Sequence, residues 1–445
     1  MNFSAASLCA VLQAHLPAQA TGLLVAVSGG ADSSCLLAAA ARMRSALRSL
    51  PLRAVHVDHG LQTGSDGFRA RCAALAEALQ VPLSIVRVAV NAAPGESIEA
   101  AARDARYAAL AALLTPGECL LTAHHREDQA ETVLLQALRG GFKGLSGMPV
   151  CRRFGAGWHV RPLLDVSRSE LLGVGGAPGV GFASDPMNED LRFDRAYLRH
   201  RIWPLLEKQW PGAGPSLGRT ARHVAAAQGL LDVAAAADVA RLRDGDALSV
   251  TGLRALPGPQ QINVLRHWIA GAAVPAPPQA RLVEALRQIL AATGDHLPAV
   301  LWSGHALRRY RDRIFLTSAV PPAIGPARDW PVAADATLEL GGGLGRLRMV
   351  AHNGGLAAHK LASTLVVHAR RGGERLKPAR HAATQSVQHL CQAHGVLPWM
   401  RDALPFVFAG DALVAVGDLW LDARWCAAPG EAGFACEWQG APMLV

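Results

Sequence analysis

Leu23-Leu24-Val25-Ala26-Val27-Ser28-Gly29-Gly30-Ala31-Asp32-Ser33-Ser34-Cys35-Leu36-Leu37-Ala38 decides how this chain folds. The first five residues are a short apolar run bounded by glycine, the pattern of a buried strand, and the Ala/Leu-rich stretch after Ser34 reads as a helix. The turn between them lies at a helix N-terminus, where four backbone N–H groups have no intrahelical partner. Such a turn attracts phosphate through its free donors and the helix dipole. Gly29 and Gly30 let the backbone approach an oxyanion closely, and the Ser33 and Ser34 hydroxyls can add donors. Asp32 is the odd member. A carboxylate beside phosphates is repulsive unless a cation such as Mg²⁺ lies between them, so the turn suggests a metal–nucleotide complex. It is not G-x-x-x-x-G-K-[ST], because no lysine follows the glycines.

Outward from this turn, residues 1 to about 150 alternate strand-like and helix-like segments. Candidate strands are 23–27, 53–57, 83–90 and 119–123; candidate helices are 34–47, 68–79, 98–114 and 128–139. This alternation predicts an α/β unit with a parallel sheet covered on both faces. Ligands in such sheets bind beyond the strand C-terminal ends.

Several ionisable clusters fall at those ends. His56 and His59 close the second strand in Val55-His56-Val57-Asp58-His59-Gly60-Leu61 and fit a wall of the nucleotide pocket. Arg103 and Arg106, three apart, share a helical face that could hold phosphate oxygens. Thr122-Ala123-His124-His125-Arg126-Glu127-Asp128-Gln129-Ala130-Glu131-Thr132 runs from a strand into a helix with acidic residues in its first turn. Asp128 and Glu131 can face one point, where two carboxylates could bind a metal, or hold an ammonium and accept its proton. Lys143 follows in the glycine-rich loop Gly140–Met148. Arg192, Arg195, Arg199 and Arg201 alternate with Phe193, Tyr197 and Trp203, a mixture suited to phosphate pairing and base stacking.

The chain has 445 residues and a formal charge of +9, which favours polyanionic partners. Its eight cysteines are scattered without a C-x-x-C pair, against a zinc site, a disulfide framework or a sulfur carrier. No Lys or Arg precedes Arg42, so a signal peptide is not expected, and no apolar run is long enough to span a bilayer. Proline clusters at 211–215 and 320–331 read as linkers. Three domains are therefore expected: a catalytic domain over 1–212, a mostly helical middle domain over 213–330, and a small α+β domain over 331–445. The last carries Arg370, Arg371, Arg375 and Lys377 in Ala369-Arg-Arg-Gly-Gly-Glu-Arg-Leu-Lys-Pro378, a basic turn able to touch RNA backbone.

Ser28-Gly-Gly-Ala-Asp-Ser33 resembles the PP-loop, S-G-G-x-D-S, of the ATP pyrophosphatases, which cleave ATP between the α and β phosphates. With H-V-D-H-G-L, A-R-D-A-R-Y, T-A-H-H-R-E-D-Q-A-E-T, R-P-L-L and the C-terminal R-R-G-G-E-R-L-K-P, the chain resembles over nearly its full length the bacterial tRNA(Ile)-lysidine synthase family. The resemblance implies ATP-dependent joining of L-lysine to C2 of the wobble cytidine of tRNA(Ile) with a CAU anticodon, through an adenylated cytosine. Decoding then switches from AUG to AUA. It implies Ser28 to Ser34 with His56 and His59 at ATP, Asp32 at Mg²⁺ and in catalysis, Asp128 and Glu131 holding and deprotonating lysine, and Arg195 and Arg199 at phosphate or tRNA. Arg103, Arg106, His124, His125, Lys143 and the four C-terminal cations are its implied substrate contacts. The expected setting is cytoplasmic, and a homodimer is compatible with it. A PP-loop tRNA thiolase, or an inactive homologue that keeps the fold, stays open at this point. Ala196 departs from the family pattern, which often has asparagine there, and the Leu172–Ala183 loop lacks the usual aromatic.

Overall fold

The computed structural model describes residues 4–60, 65–90, 98–141, 143–174, 190–293, 296–378 and 383–444. The chain forms two compact units, Met1–Leu230 and Leu231–Val445.

The first unit opens with α1 (Ala5–His15), capped by the Ser4 hydroxyl accepting from the Ser7 N–H at 3.2 Å. It continues through β1 (Gly22–Ala26), α2 (Ala31–Arg42), β2 (Leu52–Asp58), α3 (Ser65–Ala78), β3 (Leu83–Arg87), α4 (Ile98–Leu113), β4 (Glu118–Leu121) and α5 (Arg126–Leu138). A hairpin, β5 (Cys151–Phe154) and β6 (Gly157–Val160), precedes α6 (Arg168–Gly173), α7 (Asp194–Tyr197), α8 (Trp203–Gln209) and α9 (Ala213–Leu242). The sheet order is β3-β2-β1-β4-β6-β5, parallel except for the β5–β6 hairpin. β1 pairs Leu23 with Leu52 on one side and with Cys119 on the other. Side chains alternate across a strand. Leu23, Val25 and Val27 accordingly enter one core with Leu36, Leu37 and Ala40, while Leu24 and Ala26 enter a second with Val55, Leu110 and Leu120. Burial on both faces explains the uninterrupted apolar run, each leucine contributing about 1.5–3 kcal/mol. Strand order reverses between β1 and β4, so the turns after these two strands flank the crevice where such sheets bind ligands.

The expected linker at 211–215 is instead the start of α9: the chain is helical from Ala213. Beyond it the expected helices exist as α9, α11 (Gly258–Gly271) and α12 (Gln279–Ala291), the last two separated by the prolines at 275, 277 and 278. Between and after them stands a sheet that periodicity did not disclose. β7 (Arg243–Asp244), β8 (Ala247–Ser249), the short helix α10 (Val250–Arg254), β9 (Ala299–Trp302), β10 (His305–Tyr310) and β11 (Arg313–Ser318) supply it, in the antiparallel order β7-β8-β11-β10-β9.

The C-terminal region is α+β. One sheet runs β12 (Arg328–Pro331), β16 (Thr364–His368), β19 (Phe406–Ala409), β20 (Ala412–Val416), β21 (Trp420–Leu421). A second runs β13 (Thr337–Glu339), β14 (Arg346–Asn353), β22 (Ala432–Gln439), β15 (Leu356–Ala357). A two-stranded ribbon, β17 (Arg375–Leu376) with β18 (Gln385–Ser386), leads into α13 (Val387–Ala393). The end of the proline-rich segment at 320–331 is β12, and Trp330 on it is fully buried. Pro331 is tolerated because β12 is an edge strand, where a missing N–H breaks no interior ladder.

Candidate active site

The first turn of the crevice joins β1 to α2. Gly30 is the helix N-cap. Gly29 adopts φ +83° against Phe68, and a Cβ there would lie 3.1 Å from Phe68 Cδ1 and 3.3 Å from its carbonyl oxygen. The serines hold the turn in shape. Ser34 Oγ donates to the Gly30 carbonyl at 2.8 Å, and Ser33 Oγ accepts from the Ser28 N–H at 3.1 Å. Both hydroxyls are buried and bonded within the turn, so the donors it offers to a ligand are backbone N–H groups. Asp32, in the first helical turn, accepts from Arg168 Nε at 3.0 Å.

His56 lies beneath this turn and not on the pocket wall. Its ring is buried, with Nδ1 2.9 Å from the Val27 carbonyl and 3.5 Å from Cys72 Sγ, so it braces the residue before Ser28. Asp58 accepts from the Gly60 N–H at 3.0 Å, which shapes the loop in which His59 sits half-buried. Leu61 of that motif lies outside the described residues.

The second turn joins β4 to α5. His125 is the N-cap, and the Asp128 carboxylate accepts its backbone N–H at 3.1 Å. The His125 ring sits between two acids, Nε2 3.3 Å from Asp128 Oδ2 and Nδ1 2.8 Å from Glu127 Oε2. Burial disfavours its charged form, but Glu127, Asp128 and Asp32 together outweigh that and raise its pKa. His124 is the opposite case. Its Nδ1 lies 2.8 Å from Thr122 Oγ1, which also lies 2.9 Å from His159 Nε2. Burial and nearby arginines push His124 down to about 3 and His159 to about 2, so both are neutral.

Asp128 and Glu131 do converge, as their spacing predicts, and a third residue joins them. Arg199 Nε donates to Glu131 Oε1 at 2.6 Å, while Nη2 donates to Glu131 Oε2 at 2.8 Å and to Asp128 Oδ1 at 3.0 Å. This fork is the geometry that makes guanidinium–carboxylate pairs strong. Burial raises Asp128, but the charges of His125 and Arg199 and the His125 backbone N–H hold it below the usual carboxylate range; burial dominates at Glu131 and raises it. Two neighbouring carboxylates thus have opposite shifts.

Arg199 stands on a π turn, Leu198–Ile202, where the Trp203 N–H reaches back five residues to the Leu198 carbonyl. Pro204 follows. Its ring would crowd the His200 carbonyl in a regular helix, and the wider turn relieves that contact. Arg195 points elsewhere: Nη2 donates to Thr132 Oγ1 at 3.0 Å, and that hydroxyl donates to the Asp128 carbonyl at 2.8 Å, which fastens α7 to α5. Of the aromatics expected to stack on RNA, Trp203 is buried in the unit, whereas Tyr197 is 50 % exposed. Ala196 is buried.

The remaining expected contacts divide. Arg103 lies over the Tyr107 ring at 5.1 Å, and burial lowers Arg106, which faces the His124 and His159 pair. The Lys143 side chain and residues 175–189 lie outside the described residues. The loop between is tied down by Gln129, whose amide donates to the Met148 carbonyl at 3.0 Å and accepts from its N–H at 2.7 Å. Gln129, Thr132, His159 and Arg168 are positioning residues that sequence reasoning did not single out.

Comparison with known proteins identifies the family. A PP-loop domain model matches residues 4–206, a TilS substrate binding domain model 248–315, and a TilS substrate C-terminal domain model 365–438. The tRNA(Ile)-lysidine synthase of Alkalilimnicola ehrlichii is 42 % identical over 415 residues, 92 % of each chain. That of Methylococcus capsulatus is 38 % identical over 424 residues, 93 % of this chain and 95 % of its own. That of Xanthomonas axonopodis pv. citri is 40 % identical over 411 residues, 91 % of each. The chain belongs to the tRNA(Ile)-lysidine synthase family.

The basic turn that the family resemblance placed in the C-terminal region has its own frame there. Gly372 and Gly373 have φ +95° and +84°, and Glu374 folds back to accept the Gly372 N–H at 2.9 Å. Arg370 pairs with Asp402 at 2.6 Å, and the Lys377 backbone N–H donates to the buried Asp422 at 3.0 Å. Arg371 and Arg375 remain exposed along the turn.

Proposed function

We propose that this enzyme joins L-lysine to C2 of the wobble cytidine of tRNA(Ile) with a CAU anticodon, consuming ATP to AMP and pyrophosphate. The observation that carries this reading is the meeting of two turns at one switch point. One offers backbone N–H groups for phosphate; the other offers Asp128 and Glu131 for a cation.

In the first half reaction the cytosine O2 attacks the α-phosphate and pyrophosphate leaves. Charge builds on phosphate oxygens, so preorganised donors and cations dominate the catalysis. The N–H groups of this turn that are not bonded within it hold the pyrophosphate portion; those of Ser28, Gly30 and Ser34 are taken by Ser33 Oγ, Ser28 Oγ and the Gly30 carbonyl. No group of three or more His, Cys, Asp or Glu converges as a metal cage among the described residues. Mg²⁺ needs none, since it takes one or two carboxylates together with substrate phosphates and water, and Asp32 on the phosphate turn fits that donor set. When bound there it neutralises phosphate charge.

In the second half reaction the lysine ε-amine attacks C2 and AMP leaves. The amine is cationic in water, with a pKa near 10.4, and must lose a proton. Asp128, held ionised, is the counter-ion. Glu131, raised toward the range of a general base, takes the proton. Sulfur chemistry finds no matching group: burial pushes the Cys119 thiol up to about 12 and raises Cys151, and no thiol is activated as a nucleophile among the described residues. The anticodon loop is single-stranded, so the cytosine is reached splayed out, with Tyr197 available to stack. A cytoplasmic setting fits a tRNA substrate.

The test is to incubate the full chain with ATP, labelled lysine and CAU-anticodon tRNA. Label entering the tRNA with one AMP per lysine is the expected result. ATP consumption without lysine transfer would overturn the reading.

A further inference from the structure

The two carboxylates assigned to lysine are already engaged by a cation. Arg199 makes three charge-assisted hydrogen bonds of 2.6–3.0 Å, covering both oxygens of Glu131 and one of Asp128. Glu131 is almost fully buried, with 2 % side-chain exposure, whereas the Arg199 side chain is 38 % exposed. A buried carboxylate without a partner is costly, and an incoming ammonium would have to take oxygens that Arg199 already holds. Lysine and Arg199 therefore compete for the same oxygens.

Something must draw Arg199 away, and the groups around it identify what. Asp128 and Glu131 face it from α5. Arg168 ties the phosphate turn to the first turn of α5, its Nε donating to Asp32 and its backbone N–H to Glu127, each at 3.0 Å, and Arg199 is held on Asp128 of that same first turn. Phosphate oxygens arriving there present a planar fork with the bidentate partner it prefers. The π turn beneath Arg199 is a local irregularity of the kind found at functional sites.

We propose that Arg199 is a latch that stands in for the lysine ammonium and opens only when the α-phosphate of a bound nucleotide takes over its guanidinium, so that nucleotide binding precedes tight lysine binding. The proposal rests on the functional reading above and supplies the order of binding. It keeps the amine out until a phosphate is present, and by linkage lysine tightens the nucleotide by the same factor.

The experiment is calorimetric titration of L-lysine into the full-length enzyme, alone and with saturating adenosine, AMP, or a non-hydrolysable ATP analogue with Mg²⁺. AMP and the analogue are expected to tighten lysine by about 10-fold or more, within the range usual for coupled sites. Adenosine, lacking phosphate, is expected to change nothing. In Arg199→Gln the coupling factor falls to near one, because lysine then binds the nucleotide-free site as well as the loaded one. Arg199→Lys, which keeps the charge but loses the fork, falls between. The latch is overturned if wild-type enzyme binds lysine equally tightly with and without phosphate, or if adenosine tightens it as much as AMP. Lysine binding under none of these conditions would overturn the functional reading itself, and the latch with it.

Discussion

The turns after β1 and β4 are built alike and charged in opposite senses. Each follows a buried parallel strand and opens a helix at the point where strand order reverses. After β1 the helix start is left to glycine and to serines bonded within the turn, with Asp32 the one acid of the first helical turn, so its phosphate-facing electrostatics are those of the remaining N–H groups and the helix dipole. After β4 the same helix end carries carboxylates: Asp128 takes the His125 N–H and caps α5, and Glu127 reaches across to the Arg168 N–H at the start of α6 at 3.0 Å. One scaffold thus yields an anion site where side chains withdraw and a cation site where carboxylates fill the first turn. Asp32 and Asp128 even occupy related places in their helices, yet one pairs with Arg168 and the other with Arg199.

The division of labour breaks most visibly at Asp32. Asp32→Ala is expected to slow tRNA-dependent pyrophosphate release by about 10³-fold, the scale of losing one preorganised charge partner at a phosphoryl centre. Lysine binding measured with AMP should change far less. A comparable loss in both would mean that the turns do not act separately.

A second test concerns the neutral histidines behind the acidic turn. His159 titrates near 2 folded and near 6.5 unfolded, so its contribution is complete above pH 6.5 and is lost as pH falls toward 2. Chemical denaturation between pH 6 and pH 4 should show it as roughly 1 kcal/mol of stability per pH unit. His159→Asn removes that share of the slope, and an unchanged slope would show that the buried neutral ring is not responsible.

The smallest effect is expected far from both turns. Arg371→Ala or Arg375→Ala should weaken tRNA binding a few-fold and reduce the salt slope by about 1 each, as loss of a phosphate contact does. An unchanged salt slope would remove the C-terminal turn from the RNA surface.

What the sequence disclosed follows the range of each interaction. The phosphate turn and the Asp128/Glu131 pair are local, set by residues within five positions of one another, and both are where periodicity and helical spacing placed them. The partners that set their charge state are distant. Arg168 reaches Asp32 across 136 positions and Arg199 reaches Glu131 across 68, and no local pattern marks either pairing. His56 had the right residue type at a strand end, but strand parity turns its ring under the turn and not into the crevice. The sheet of the middle region was hidden because Arg308 and Arg309 sit side by side in β10 and Arg313 opens β11, breaking the alternation that marks a strand.

The most direct test of the central claim is a single-turnover reaction of Glu131→Gln with ATP labelled at the α-phosphate and CAU-anticodon tRNA. Adenylated tRNA should form at close to the wild-type rate and then persist when lysine is added, its discharge slowed about 10²-fold or more by loss of the base. Failure to form the adenylate, or its discharge by lysine at the wild-type rate, would contradict the assignment of ATP chemistry to the first turn and lysine chemistry to the second.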